Sequence, residues 1–127
     1  MNSRTEEIIN RFEKSWTETY ERYEMLINNG GFDKWIPIRD LILEMKENGE
    51  WKYFRIGTSM FTLIFSRSVE FRLRTDQKHV KIETLDFNDY EITMRDGDKL
   101  YREYRITDLK DEKLTKLLNI LKNTLAD

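Results

Sequence analysis

Three arginines, Arg67, Arg72 and Arg74, stand in the stretch FSRSVEFRLR, where Val69, Phe71 and Leu73 alternate with charged neighbours. Alternation with period two marks a half-buried strand, so the apolar residues turn one way and Arg72 and Arg74 the other. Guanidinium groups set along a strand face can hold a phosphate or a carboxylate. The next apolar pair, Val80 and Ile82, follows Thr75-Asp76-Gln77-Lys78. If those four residues form a loop, Arg72 lies across from Lys81 and Arg74 from His79. The result is a small basic spot, with Lys78 at its end, suited to an acidic protein, a phosphate or single-stranded nucleic acid. The plainer reading is a solvated sheet face. Glu70 would then stand diagonal to Lys81 and Glu83 diagonal to Arg72, and water would screen what is left.

The same pairing logic runs upstream. With Ser66-Arg67-Ser68 as a three-residue loop, Phe65 faces Val69 and Leu63 faces Phe71. Phe71 then meets Ile82 and Leu73 meets Val80, giving one coherent buried face.

Other residues with chemical potential lack the company that chemistry needs. His79 is the single histidine and has no partner cluster in sequence, so it reads as a solvated imidazole. There are no cysteines, which excludes disulfides, thiol nucleophiles and thiolate metal sites. Ser66 and Ser68 lack the spacing of a nucleophile elbow. Gly57-Thr58-Ser59 lacks the glycine spacing and lysine of a phosphate loop and reads as a strand break. Glu44-Met45-Lys46 and Glu50-Trp51-Lys52 match a nuclease fragment, but such triplets arise by chance in a chain this rich in Glu and Lys. Asp86, Asp89, Glu91, Asp96 and Asp98 form an acidic segment without calcium-loop spacing. No catalytic constellation emerges, and no cofactor or metal is implied.

The elements that must carry these residues are legible from periodicity. Ser3-Arg4-Thr5-Glu6 has capping-box spacing, and Ile9, Phe12, Trp16, Thr19, Tyr23 and Leu26 recur at helical intervals. Asn28-Asn29-Gly30-Gly31 should end that helix. A second helix is predicted from near Pro37, with Ile38, Leu41, Ile42 and Met45 inward and Asn48-Gly49 closing it. Period two then takes over in Phe54 and Ile56, in Phe61, Leu63 and Phe65, and again in Tyr90, Ile92 and Met94. A three-residue loop at Arg95-Asp96-Gly97 would place Ile92 opposite Leu100. Thr107 or Asp108 should introduce a last helix with Leu114, Leu117, Leu118, Leu121 and Leu125 as its stripe.

The order predicts one α+β domain over residues 1–127. Two N-terminal helices precede an antiparallel β-meander of about five to six strands, and a C-terminal amphipathic helix packs on the sheet. Twenty-two basic against 24 acidic residues give a net charge of −2, unlike the basic balance of a duplex-DNA binder. No apolar run approaches the roughly 20 residues of a membrane span, and a soluble, cytoplasmic protein is expected. Trp16, Tyr20 and Tyr23 on the first helix read as core. Trp16 and Tyr20 also qualify as interface anchors, and the helix could pair with a second copy as a homodimer. The functional expectation is a non-enzymatic protein-binding module, an immunity-type or other inhibitor of a partner protein. Its candidate contacts are Arg72, Arg74, His79, Lys81, Trp16 and Tyr20. The alternative is a nucleic-acid-binding accessory protein using the basic spot.

Overall fold

The computed structural model describes residues 3–59, 62–68 and 77–124. Helix α1 spans Ser3–Gly30 and α2 spans Ile36–Glu47, with a short 3-10 turn between them at Asp33–Trp35. A second 3-10 turn, Glu50–Lys52, leads into strands β1 (Arg55–Ser59), β2 (Thr62–Ser66), β3 (Lys78–Asp86), β4 (Asp89–Asp96) and β5 (Lys99–Ile106). Helix α3, Glu112–Lys122, follows them. The sheet is an antiparallel meander in the order β1-β2-β3-β4-β5, so the predicted α+β architecture holds, with five strands among the described residues. No helix among the described residues is long and apolar enough to cross a membrane.

Helix ends follow local chemistry. Gly31 adopts φ +71° and its N–H bonds back to Ile27 O at 3.2 Å, as a left-handed cap requires. Pro37 sits in the first turn of α2, where its missing N–H costs nothing. The side chain of Ser3 lies outside the described residues, so its capping role does too. Helix α3 is introduced by Asp111, not by Thr107 or Asp108. The Asp111 carboxylate accepts from Lys113 N at 2.9 Å. Asp108 instead accepts from Lys110 N at 2.9 Å and turns the chain just before the helix. Leu114, Leu117, Leu118 and Leu121 are buried as their spacing predicts, while Leu125 lies outside the described residues.

Register sorts the sheet into two faces. Ile56, Phe65, Val80 and Met94 stand in one cross-strand row, and Leu63, Ile82 and Ile92 in the next. These join α1, α2 and α3 in a single core. Three expectations fail on register. Gly57-Thr58-Ser59 is not a break but continues β1, with Gly57 opposite Ile64. Leu100 faces Arg95 and is exposed, because an irregularity between Met94 and Arg95 shifts β5 so that Ile92 meets Tyr104. Ile82 and Val80 are partnered on the β2 side by Leu63 and Phe65, not by Phe71 and Leu73. Both edges of β3 are taken, by β2 and β4. Phe61, Val69, Glu70, Phe71, Leu73 and residues 75–76 of the proposed loop lie outside the described residues.

Strand β1 is an edge strand, and α1 seals part of it. Trp16 donates its indole N–H to Phe54 O at 2.8 Å. Ile56 donates its N–H to Ser15 Oγ at 3.0 Å, and its carbonyl accepts from Thr19 Oγ1 at 3.4 Å. Ser15 is buried, so truncating it to alanine strands the Ile56 N–H away from water. Ser15→Ala should therefore cost about 1–3 kcal/mol in urea unfolding. Glu13→Ala, two positions earlier on the same helix and exposed, should cost under about 0.5 kcal/mol. Equal effects would show that the edge contact contributes nothing special.

Candidate protein-binding groove

Of the expected basic spot, the structure places Lys78, His79 and Lys81. His79, expected to be solvated, is 1% exposed. It projects from the sheet face away from the helices and stands between Ser66 and Arg95 in its row. Its Nδ1 donates to Gln77 O at 2.8 Å, which leaves Nε2 as a buried acceptor without a partner among the described residues. Lys81 is half-buried between Ile64 and Thr93, where pairing with Arg72 was expected. Arg72 and Arg74 themselves lie outside the described residues. Arg67 is not a free loop residue. Its Nη1 donates to Tyr53 O at 2.6 Å, its Nε is buried, and burial lowers its pKa.

The aromatic candidates are largely spoken for. Trp16 is fully buried, with Phe65 edge-on at 6.1 Å, and Tyr23 packs edge-on against Trp35. Both belong to the core of their own chain rather than to an outer face of α1. Tyr20 is half-buried and donates its hydroxyl to Glu24 Oε1 at 2.7 Å. Glu24 lies 3.6 Å from Arg39, so this set ties α1 to α2. The Tyr20 hydrogen bond, the neighbouring Arg39 and Asn28 hold the Glu24 carboxyl below its usual range, and the same hydrogen bond raises Tyr20.

What the structure adds is a groove between α2 and α3. Leu41, Met45, Leu109, Leu114 and Leu118 form its floor, in a volume of about 240 Å³. Glu44 and Asn48 rise on the α2 side, Thr115 and Asn119 on the α3 side. One end is closed by an ion pair, Lys122 Nζ to Glu50 Oε2 at 2.9 Å, with the ammonium also 4.6 Å over the Tyr53 ring. The other end opens into a wider cleft of about 590 Å³. Pro37, Asp40, Asn88, Tyr90, Thr107 and Asp108 line that cleft, and it shares Leu41, Glu44, Leu109 and Lys110 with the groove. An apolar floor with polar walls is the composition of a protein contact surface. Among the described residues no three His, Asp or Glu side chains are placed to hold a metal.

Comparison with known protein families, curated proteins and solved structures finds no match to this chain. Functional inference therefore rests on the residues alone. The sequence reading missed the groove because its walls come from α2 and α3, some 70 positions apart, and their inner residues look like ordinary core stripes. The i, i+4 pair Asp40 and Glu44 was the available signal.

The burial of His79 has a consequence for stability. Desolvation is the main cause that lowers its pKa from 6.5, with Lys81 and Arg95 adding to it and the Gln77 carbonyl opposing it. The unfolded chain therefore takes up a proton, as pH falls below about 6.5, that the folded chain refuses. Stability is full above that pH and declines as the solution is acidified toward the folded-state pKa. The slope from this one group cannot exceed about 1.4 kcal/mol per pH unit. His79→Gln should flatten the stability profile between pH 7 and pH 5 in urea titrations. Parallel profiles for the two proteins would refute the assignment.

Proposed function

We propose that this chain is a small cytoplasmic protein-binding module, an inhibitor or immunity-type protein that acts by occupying a partner's surface. The observation that carries the reading is the continuous groove and cleft between α2, α3 and the turn joining β3 to β4. Its apolar floor can take a side chain from a partner, and its charged walls can select among partners. The mixed surface fits this role. A net charge of −2 arises from near-equal numbers of both signs, which gives orientation without general stickiness to nucleic acid. Binding at the groove moves the contact surface away from the sheet face that carries Lys81 and His79.

Affinity capture from the native cell with the intact protein as bait should return one stoichiometric protein, and that protein's activity should fall when the chain is added back. Thr115→Trp, an exposed position on the groove wall, should fill the groove and weaken capture by about tenfold or more while leaving the fold intact. Lys81→Glu, on the far sheet face, should leave capture unchanged. The reverse pattern would place the contact on the sheet. Retention of a single-stranded oligonucleotide at low salt, with no protein captured, would replace this reading by nucleic-acid binding.

A further inference from the structure

The cleft at the open end of the groove gathers three carboxylates from two distant parts of the chain. Asp40 and Glu44 stand one turn apart on α2, on the same helical face. Asp108 arrives from the connection between β5 and α3. The lining holds a single cation, Lys110, so the local balance is negative. Arg39 reaches Asp40 Oδ1 at 3.1 Å, and the Lys110 backbone takes Asp108 Oδ1. The Glu44 carboxylate has no hydrogen-bond or ion-pair partner among the described residues.

A second observation is independent of the acids. Tyr90 lines the same cleft from β4, yet it is 1% exposed, and its hydroxyl has no hydrogen-bond partner among the described residues. A tyrosine buried to this degree ordinarily hydrogen-bonds its hydroxyl within the protein, whereas this oxygen is not sealed in and stays open to a partner from the cleft. Burial, with the charge of Asp108 adding to it, raises the phenol's pKa and keeps the hydroxyl protonated. Carboxylates and a phenol oxygen together form a set of acceptors that a donor-only group could satisfy. A guanidinium carries five N–H donors in a planar fork and gives up its hydration more readily than an ammonium.

We propose that the cleft receives the guanidinium of an arginine side chain from the partner protein, held by Glu44, Asp108 and the Tyr90 hydroxyl. This rests on the protein-binding reading above and names the chemistry of its partner. The test uses the intact ¹⁵N-labelled chain titrated with N-acetyl-arginine amide, N-acetyl-lysine amide and N-acetyl-norleucine amide. The arginine probe should produce saturable amide shifts at Asn88, Thr107, Asp108 and Lys110. The norleucine probe should produce none, and the lysine probe should bind more weakly. The double variant Glu44→Gln, Asp108→Asn should keep a folded spectrum and lose about tenfold or more in affinity for the arginine probe.

Non-saturating shifts, equal response to the three probes, or undiminished binding by the folded double variant would overturn the proposal. The two readings fail separately. If a captured partner still binds the double variant with full affinity, the cleft assignment falls and the protein-binding module stands. If arginine saturates the cleft but no protein partner is ever captured, the module falls instead.

Discussion

A free sheet edge buried under a helix is the constraint around which this fold is arranged. Among the described residues strand β1 has β2 on one side only, so every second residue points backbone N–H and C=O groups away from the sheet. At Ile56 those groups meet α1, where water cannot reach them, and each would cost about 1–3 kcal/mol if left alone. The sequence answers with two hydroxyls one helical turn apart, Ser15 and Thr19, one for each group. Trp16 between them takes Phe54 O and fills the space beneath with its ring. Three residues of one helix thus act as a substitute strand. Their order fixes both the height and the rotation of α1 on the sheet.

Much of the remaining packing follows from that seat. Phe54 and Phe65 meet edge-on at 5.9 Å beside Trp16, so the aromatic centre is set by the same contact. Lys46 of α2 donates to Thr17 Oγ1 at 3.2 Å, and Arg39 approaches Glu24, which hold α2 against α1. The opposite edge is handled differently. Strand β5 is largely exposed and, among the described residues, no helix hydroxyl reaches it, but Lys99, Arg102, Glu103 and Arg105 make it charged, and its irregular register disrupts a flat template. Arg105 is also clamped to Asp89 at 2.6 and 2.7 Å, which holds β5 to β4 and the Asp89 carboxyl below its usual range.

The sequence was legible where structure is local. Helical period located α1, α2 and α3, glycines at 31 and 49 located two helix ends, and alternation located the strands. It was misleading where one residue of register matters. The shift between Met94 and Arg95 turned Leu100 from an expected core position to an exposed one, since a slip of one residue exchanges the two faces. Gly57 looked like a break because glycine weakens strands, yet its neighbours Ile56 and Thr58 are held in a regular ladder. His79 was misjudged for a different reason. Its neighbour Lys78 and the next residue on its face, Lys81, are polar, and burial of a central strand is decided by β2 and β4 rather than by adjacent sequence.

Net charge hides how the charges are partitioned, and that partition separates two surfaces. On the sheet face away from the helices, Arg55, His79 and Arg95 share one row, Lys81 and Glu103 the next, and Glu83, Glu91 and Arg105 the one after. Burial, together with the charges of Glu103 and Glu83, raises the Glu91 pKa, so the sheet pays a local electrostatic cost there. These charges nearly balance across the face, and part of them is already withdrawn, since His79 is buried and Arg95 donates to Asp98 O at 3.1 Å. The cleft between α2 and β4 differs in kind. There the acids come from a helix and a connecting loop; Arg39 and the Lys110 backbone answer Asp40 and Asp108 in part, while the Glu44 carboxylate has no ion-pair partner among the described residues. A charge that its own fold does not answer is the one with energy left to gain from a partner.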